Sequence, residues 1–408
     1  MAVRKPARKA SRAARVRAVA ATSAQARAHV FAPAHVKKAQ TEEVDPKREV
    51  NFRMPRGRAK VPRGATVDLG AMGLAIWNKL KDNVVGYILH VRQNGALVHV
   101  GVWNWAQTPA DAGKGWSEDT RMHIASVSKF LTGVGTVRLL DSKNLSYDTK
   151  IINYLPAHWS KGPNIDKITF RHLFTHTSGF VTGGSSTDYT TMKSKVAAGV
   201  SGVGSYDYEN MNFGLCRLLI STISGAVPKN STYTPSYLND AFWDLNTINA
   251  YRSYMQAKVF TPSGVANAGF EPLLTTPDAL AYMFPWQITS GWNSGNLNTV
   301  AGGAGWRLSI KELLSVMNHV RRKGTIVSAT KAQYILDNAF GIDQIISTPA
   351  GTLYNKNGGW SNNNRTEQCV AYFMPQGMEL GLFVNSPIGT ANYSLRNLVK
   401  DAYVNALS

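Results

Sequence analysis

The stretch His123-Ile124-Ala125-Ser126-Val127-Ser128-Lys129-Phe130 decides how this chain is read, because it sets the tetrapeptide S-x-x-K at the head of an apolar run. Phe130, Leu131, Val134, Val137 and Leu140 follow at helical spacing. In a helix opening here, a three-residue step places the Ser126 hydroxyl and the Lys129 amine on one face, within reach of each other. A serine hydroxyl is a poor nucleophile at neutral pH and needs an adjacent base, and a lysine amine can serve once burial and a nearby like charge lower its pKa. The tetrapeptide alone is weak, since an exposed helix with a serine and a lysine satisfies it equally. Its weight comes from what surrounds it.

Working outward, the spacing predicts a helix around Gly70–Lys81, then alternation from Val84 to Val91, a turn at Gln93-Asn94-Gly95, and a second alternating run from Leu97 to Trp103. Two β-rich runs joined by Asn-Gly are a strong hairpin signal. From about 141 to 300 the chain reads as loops and short helices, including Lys167–Thr175 and Asn210–Ser224. An amphipathic helix is expected over Ser309–Lys323, with Ser309 as its N-cap and Gly324 just past its end. Gln368–Phe373 and Leu380–Val384 read as strands and Asn392–Leu407 as a closing helix. Strands at both ends with helices between predict an α+β fold: an antiparallel sheet closed by the two ends of the body, flanked by helices, with an inserted helical lobe at about 141–300. The body is expected to span 64–408.

With 44% hydrophobic and 17% charged residues in 408, the composition is that of an ordinary globular enzyme. The net charge of +20 is unevenly spread: residues 1–40 hold ten Lys or Arg and no Asp or Glu, leaving 35 basic against 25 acidic side chains elsewhere. Residues 1–63 therefore read as a basic arm, disordered or transiently helical in isolation because it has too little apolar surface to offset its ordering entropy. An organelle transit peptide, a tail binding nucleic acid or an acidic partner surface, and a merely solvated tail all fit its charge. No run reaches the roughly 18 apolar residues of a membrane span. Val16–Ala28 is too broken by polar residues for a secretory signal, so a cytoplasmic or organellar location is expected over a secreted one. Cys216 and Cys369, both in apolar surroundings, are expected to be buried free thiols.

Further motifs stand in order along the body: Phe170-Arg171-His172-Leu173-Phe174-Thr175-His176-Thr177-Ser178-Gly179, Tyr208-Glu209-Asn210, Gly302-Gly303-Ala304-Gly305 and Lys356-Asn357-Gly358-Gly359. With Ser126-x-x-Lys129 they resemble the serine β-lactamase and penicillin-binding-protein superfamily, in its class C β-lactamase, D,D-peptidase and esterase branch. The second is similar to the branch's LLTHTSG signature, the third to Y-x-N, and the last to the K-T-G or H-x-G strand. The gaps of 82 residues from Ser126 to Tyr208 and 148 from Tyr208 to Lys356 fit that layout.

The resemblance implies Ser126 as nucleophile, Lys129 as base, Tyr208 as proton relay, and backbone N–H groups of Ser126 and Gly359 facing the oxyanion. Asn210 would hold Lys129 and a substrate carbonyl, or alternatively cap the helix after it. Lys356 would lower the Lys129 pKa and either face a substrate carboxylate or tune the site electrostatically. Gly358 and Gly359 would leave room for substrate beside Asn357. Two departures matter: Asn357 stands where β-lactamases carry a hydroxyl residue, and no E-x-x-x-N segment supplies the class A carboxylate base.

His172 and His176 are four apart, but no third ligand stands nearby, so no metal and no cofactor is expected. Trp292 and Trp360 flank Gly-rich loops and are candidates to line the cleft. The expected function is a serine hydrolase forming an acyl-enzyme on Ser126, with small esters, amides, β-lactams or D-amino-acyl peptides as substrates. The competing expectation is a non-catalytic scaffold that keeps this body for its shape and binds partners through the arm.

Overall fold

In the computed structural model the described residues are 58–60, 66–182, 187–284, 290–389 and 394–408, so the basic stretch 1–40 lies outside them. The chain runs β1 (Arg58–Lys60), β2 (Thr66–Asp68), α1 (Leu69–Leu80), β3 (Gly86–Gln93), β4 (Ala96–Gln107), β5 (Lys114–Gly115), β6 (Arg121–His123) and α2 (Val127–Ser142). Then come α3 (Phe170–Phe174), α4 (Tyr189–Ala198), α5 (Asn210–Ser224), α6 (Asn239–Met255), β7 (Arg307–Ser309), α7 (Ile310–Arg321) and α8 (Ala329–Asp337). The chain finishes with β8 (Gln344–Thr348), β9 (Gly351–Asn362), β10 (Arg365–Met374), β11 (Met378–Val384) and α9 (Leu395–Asn405). Short β1, expected as part of the arm, pairs with β2.

Alternation at the two ends of the body builds one sheet, because matching runs can bury both faces only side by side. Its seven strands lie in the order β5-β4-β3-β11-β10-β9-β8, antiparallel throughout. The β3–β4 hairpin turns at Asn94 and Gly95, both left-handed with φ of 55° and 84°, which matches the sheet's twist. Tyr87, Leu89 and Val91 point to one face with Leu380 and Leu382, where α1 and α9 cover them through Met72, Ile76, Leu398 and Tyr403. Ile88 and Phe383 point to the other, against α2, α7 and the helical lobe. Residues on both faces are buried, so each central strand reads as a nearly continuous apolar run.

Helix α2 is the centre of the second layer. Phe130 meets Phe373 of β10 edge-on at 5.3 Å. Its polar Thr132 is satisfied inside the core by the Ser128 carbonyl at 3.0 Å, the Gly302 carbonyl at 2.7 Å and the Tyr251 hydroxyl at 2.7 Å. A helix buried nearly all round has no solvent face on which to place a lysine, yet Lys129 is fully buried. A buried charge of this kind needs partners, which the site supplies.

Helix ends follow local chemistry. Ser309 caps α7 through a reciprocal box with Glu312, and Gly324 beyond its end adopts φ 63°. Cys216 and Cys369 are buried and free. No described helix is long and apolar enough to cross a membrane.

Candidate active site

The segment that carries Ser126 is a strand-turn-helix. β6 pairs with β7, the chain turns at Ala125 with a left-handed φ of 43°, and α2 begins at Val127 with Ser126 as its N-cap. A positive φ at alanine is costly and persists only where the surroundings fix it, here with Ile124 hydrogen-bonded to the Trp306 carbonyl at 2.9 Å. Ser126 is left half-buried while its neighbours from Arg121 to Phe130 are buried.

Lys129 Nζ donates to Ser126 Oγ at 2.9 Å, to Asn210 Oδ1 at 2.6 Å and to the Gly303 carbonyl at 2.7 Å. Three acceptors therefore surround the amine. Burial pushes the amine down to about 8, helped by the like charge of Lys356 and opposed by Tyr208 and Asp343. Asn210 is the first residue of α5, with Glu209 in the cap position, so its side chain holds the lysine and does not cap the helix.

Tyr208 lies between the two lysines. Lys129 Nζ is 5.0 Å and Lys356 Nζ 5.2 Å from its ring centroid. Burial acts to raise its phenol, but the two lysines and hydrogen bonding with Ser126 and Lys129 outweigh that and hold the pKa below the ordinary value. The residue remains 39% exposed.

The His-Thr-Ser-Gly segment is the mount for this tyrosine, a use its sequence did not reveal. His176 Nδ1 accepts the Glu209 N–H at 3.0 Å, and the His176 carbonyl accepts the Asp207 N–H at 2.8 Å. Ser178 Oγ donates to Asn212 Oδ1 at 2.6 Å, and the Glu209 carboxylate takes the Thr182 N–H at 2.5 Å as well as its hydroxyl. His172 closes a capping box with Thr169. Both imidazoles thus serve structure, and no group of three or more potential metal ligands occurs among the described residues.

Strand β9 brings in the Lys356-Asn357-Gly358-Gly359 motif. A side chain at Gly358 would meet the Ile124 carbonyl at 2.2 Å and Cys369 Sγ at 2.9 Å, so the strand runs directly against the segment leading to Ser126. Gly359 is exposed, and nothing lies within 4 Å of where its Cβ would be. Trp360 sets its ring edge-on to His123 at 5.4 Å, beside the same segment. Trp292 instead forms a backbone bridge with Ala281. The Asn357 side-chain oxygen is buried without a hydrogen-bond partner.

Lys356, expected to face a substrate carboxylate or to tune the site electrostatically, is paired within the chain. Its amine is buried and ion-paired with Asp343 at 2.5 Å, and the second Asp343 oxygen accepts the Asn357 N–H at 3.0 Å. Burial acts to lower the Lys356 pKa, but Asp343 and Tyr208 prevail and raise it, so this lysine is the fixed positive charge beside the titrating Lys129. Sequence offered no sign of Asp343, which meets Lys356 only because β8 pairs with β9.

The chain belongs to the Beta-lactamase family, whose profile matches residues 75–368. Its fold is similar to that of FmtA from Staphylococcus aureus, with a TM-score of 0.62 over 82% of this chain and 87% of that one at 16% identity. It is likewise similar to the octameric penicillin-binding protein homologue from Pyrococcus abyssi, with a TM-score of 0.63 over 82% of this chain and 76% of that one, also at 16% identity. In sequence, an uncharacterized protein of Alkalihalophilus pseudofirmus is 30% identical over 116 residues, which are 28% of this chain and 32% of that one. The chain spans about a third of the length of the curated relatives it matches. Family membership supports serine-hydrolase chemistry in general.

Proposed function

We propose that the protein is a serine hydrolase that forms an acyl-enzyme on Ser126 and acts on small neutral esters and amides. The observation that carries this reading is the 2.9 Å contact between Lys129 Nζ and Ser126 Oγ, made by an amine held at about 8. Roughly a tenth of such amines are neutral at pH 7, which supplies a base already in contact with the nucleophile.

In this mechanism neutral Lys129 takes the Ser126 proton as Oγ bonds to the substrate carbonyl carbon. The negative charge on the carbonyl oxygen is met by the backbone N–H groups of Ser126 and Gly359. The carbon–leaving-group bond then breaks, and the departing oxygen or nitrogen takes a proton relayed from Lys129 through the Tyr208 hydroxyl. Water repeats the sequence on the acyl-enzyme, releasing acid and restoring Ser126. Asn210 and the Gly303 carbonyl keep Lys129 on Ser126 throughout.

A fluorophosphonate probe tests the proposal, because it traps a nucleophilic serine covalently. The adduct is expected on Ser126 by peptide mass spectrometry and is expected to be absent from Ser126→Ala. Labelling that survives this substitution, or fails in folded wild type, excludes the mechanism.

A further inference from the structure

We propose that Asp343 is a built-in stand-in for a substrate carboxylate, and that by occupying Lys356 it makes the site select neutral substrates over anionic ones. The proposal rests on the hydrolase reading above and names which substrates that site accepts.

The argument starts from the inventory of donors. A lysine ammonium has three N–H groups. At Lys356 one is taken by Asp343 Oδ1 at 2.5 Å, and the amine also lies 5.2 Å from the centroid of the Tyr208 ring. The Lys356 side chain is 2% exposed, so it has little surface left for an incoming anion. The other Asp343 oxygen is bound to the Asn357 N–H, so one carboxylate spans the Lys356 side chain and the Asn357 backbone of the β9 motif. This is the pattern a bound carboxylate ligand would make, satisfied from within the chain.

Asp343 is itself rigidly placed. Its N–H donates to the Asn355 carbonyl at 2.8 Å, one residue before Lys356, which locks the start of β8 to β9. Its side chain is 17% exposed, enough for its charge to be felt in the cleft. A substrate carboxylate approaching Lys356 meets a position already filled and a like charge beside it. A neutral ester meets neither obstacle, and it still has Ser126, Lys129 and Tyr208.

The test compares kcat/KM for phenyl acetate and 3-carboxyphenyl acetate, which differ only by a carboxylate on the leaving group. Asp343→Asn keeps an acceptor for the Asn357 N–H while removing the charge. It is expected to shift the ratio toward the carboxylate ester by about tenfold or more, the scale of a charged hydrogen bond. Asp343→Glu is expected to keep the wild-type ratio, and Asp343→Asn with Lys356→Ala to lose the gain. A ratio within about twofold of wild type in Asp343→Asn overturns the proposal. Benzoate binding by calorimetry gives a reading independent of turnover: Asp343→Asn is expected to bind it at least about tenfold more tightly than either wild type or the double variant. Equal benzoate binding by all three proteins overturns the proposal. Absence of Ser126-dependent turnover in every variant instead removes the hydrolase reading and leaves the benzoate result to decide on Asp343.

Discussion

The imidazole of His176 lies flat against the phenol ring of Tyr208, with centroids 4.4 Å apart and 26° between the planes. Burial, reinforced by the positive Lys356 and Lys129, pushes the imidazole down to about 3, so it stays neutral across the working pH range and acts as a plate with one hydrogen-bond acceptor. His176→Ala removes both plate and acceptor and is expected to lower kcat about 10–100-fold, the scale of a misplaced general acid–base group, with little change in KM for a neutral ester. His176→Phe keeps the plate and is expected to lose less. Steady-state kinetics beside a melting curve separates this from a purely structural role, for which Tm falls and kcat is unchanged.

Activity is expected to rise with pH through about 8, because the base must be neutral to take the Ser126 proton. Lys129 and Tyr208 interact closely, so this limb belongs to the pair. Lys356→Ala removes a like charge that lowers the Lys129 pKa and is expected to move the limb to higher pH. Lys129→Ala and Tyr208→Phe are each expected to lower turnover by about 10² or more. A kcat/KM profile flat from pH 6 to 9 contradicts the assignment of Lys129 as base.

Gly302→Ala is expected to destabilise the fold by about 2–4 kcal/mol in urea, through left-handed strain and overpacking together. The residue has φ of 94°, and an added Cβ would meet the Phe213 carbonyl at 2.3 Å. The Gly302 carbonyl accepts from Thr132 and the next carbonyl from Lys129, so the Lys129 anchor moves with it. A loss under about 0.5 kcal/mol would show that the turn can relax.

His99 is fully buried with neither ring nitrogen hydrogen-bonded, and burial pushes its pKa down to about 4. Between about 4 and the unfolded value of 6.5 the unfolded chain therefore binds the proton and the folded one does not. The contribution of His99 to stability is full above 6.5 and falls as pH drops toward 4, by on the order of 2–3 kcal/mol. His90 behaves alike, whereas Asp278 and Glu379, raised to about 6 and about 7, work in the opposite sense. The test is thus a difference: the stability of His99→Leu relative to wild type is expected to increase as pH falls from 6.5 to 4. A pH-independent difference would mean His99 titrates normally.

Much of this arrangement was legible from sequence because it is local. Asn94-Gly95 fixes a hairpin whatever surrounds it, Ser309 caps α7 with a glutamate three residues on, and the apolar spacing after Ser126 makes a helix. The motif residues Ser126, Lys129 and Asn210 are joined by direct hydrogen bonds. What sequence missed depends on tertiary pairing. The sequence of β8, Gln344-Ile345-Ile346-Ser347-Thr348, has no apolar alternation although its exposure alternates, and β6 and β7 have three residues each. Asp343 gains meaning only from the strand beside it, and the His-Thr-Ser-Gly segment only from the loop at Asp207–Glu209 that it grips.

The pairing of Ile88 with Phe383 also bears on how the molecule is made. The hairpin of β3 and β4 leaves the ribosome before β11, with one edge prepared for that later neighbour. At about 5–20 residues per second, that neighbour follows roughly 15–60 s later. During this interval the nascent chain holds an apolar edge open, and Lys129 has no Lys356 or Asp343 nearby. Biosynthesis therefore passes through an aggregation-exposed interval whose length is set by the lobe between the strands, and holding chaperones have most to act on there.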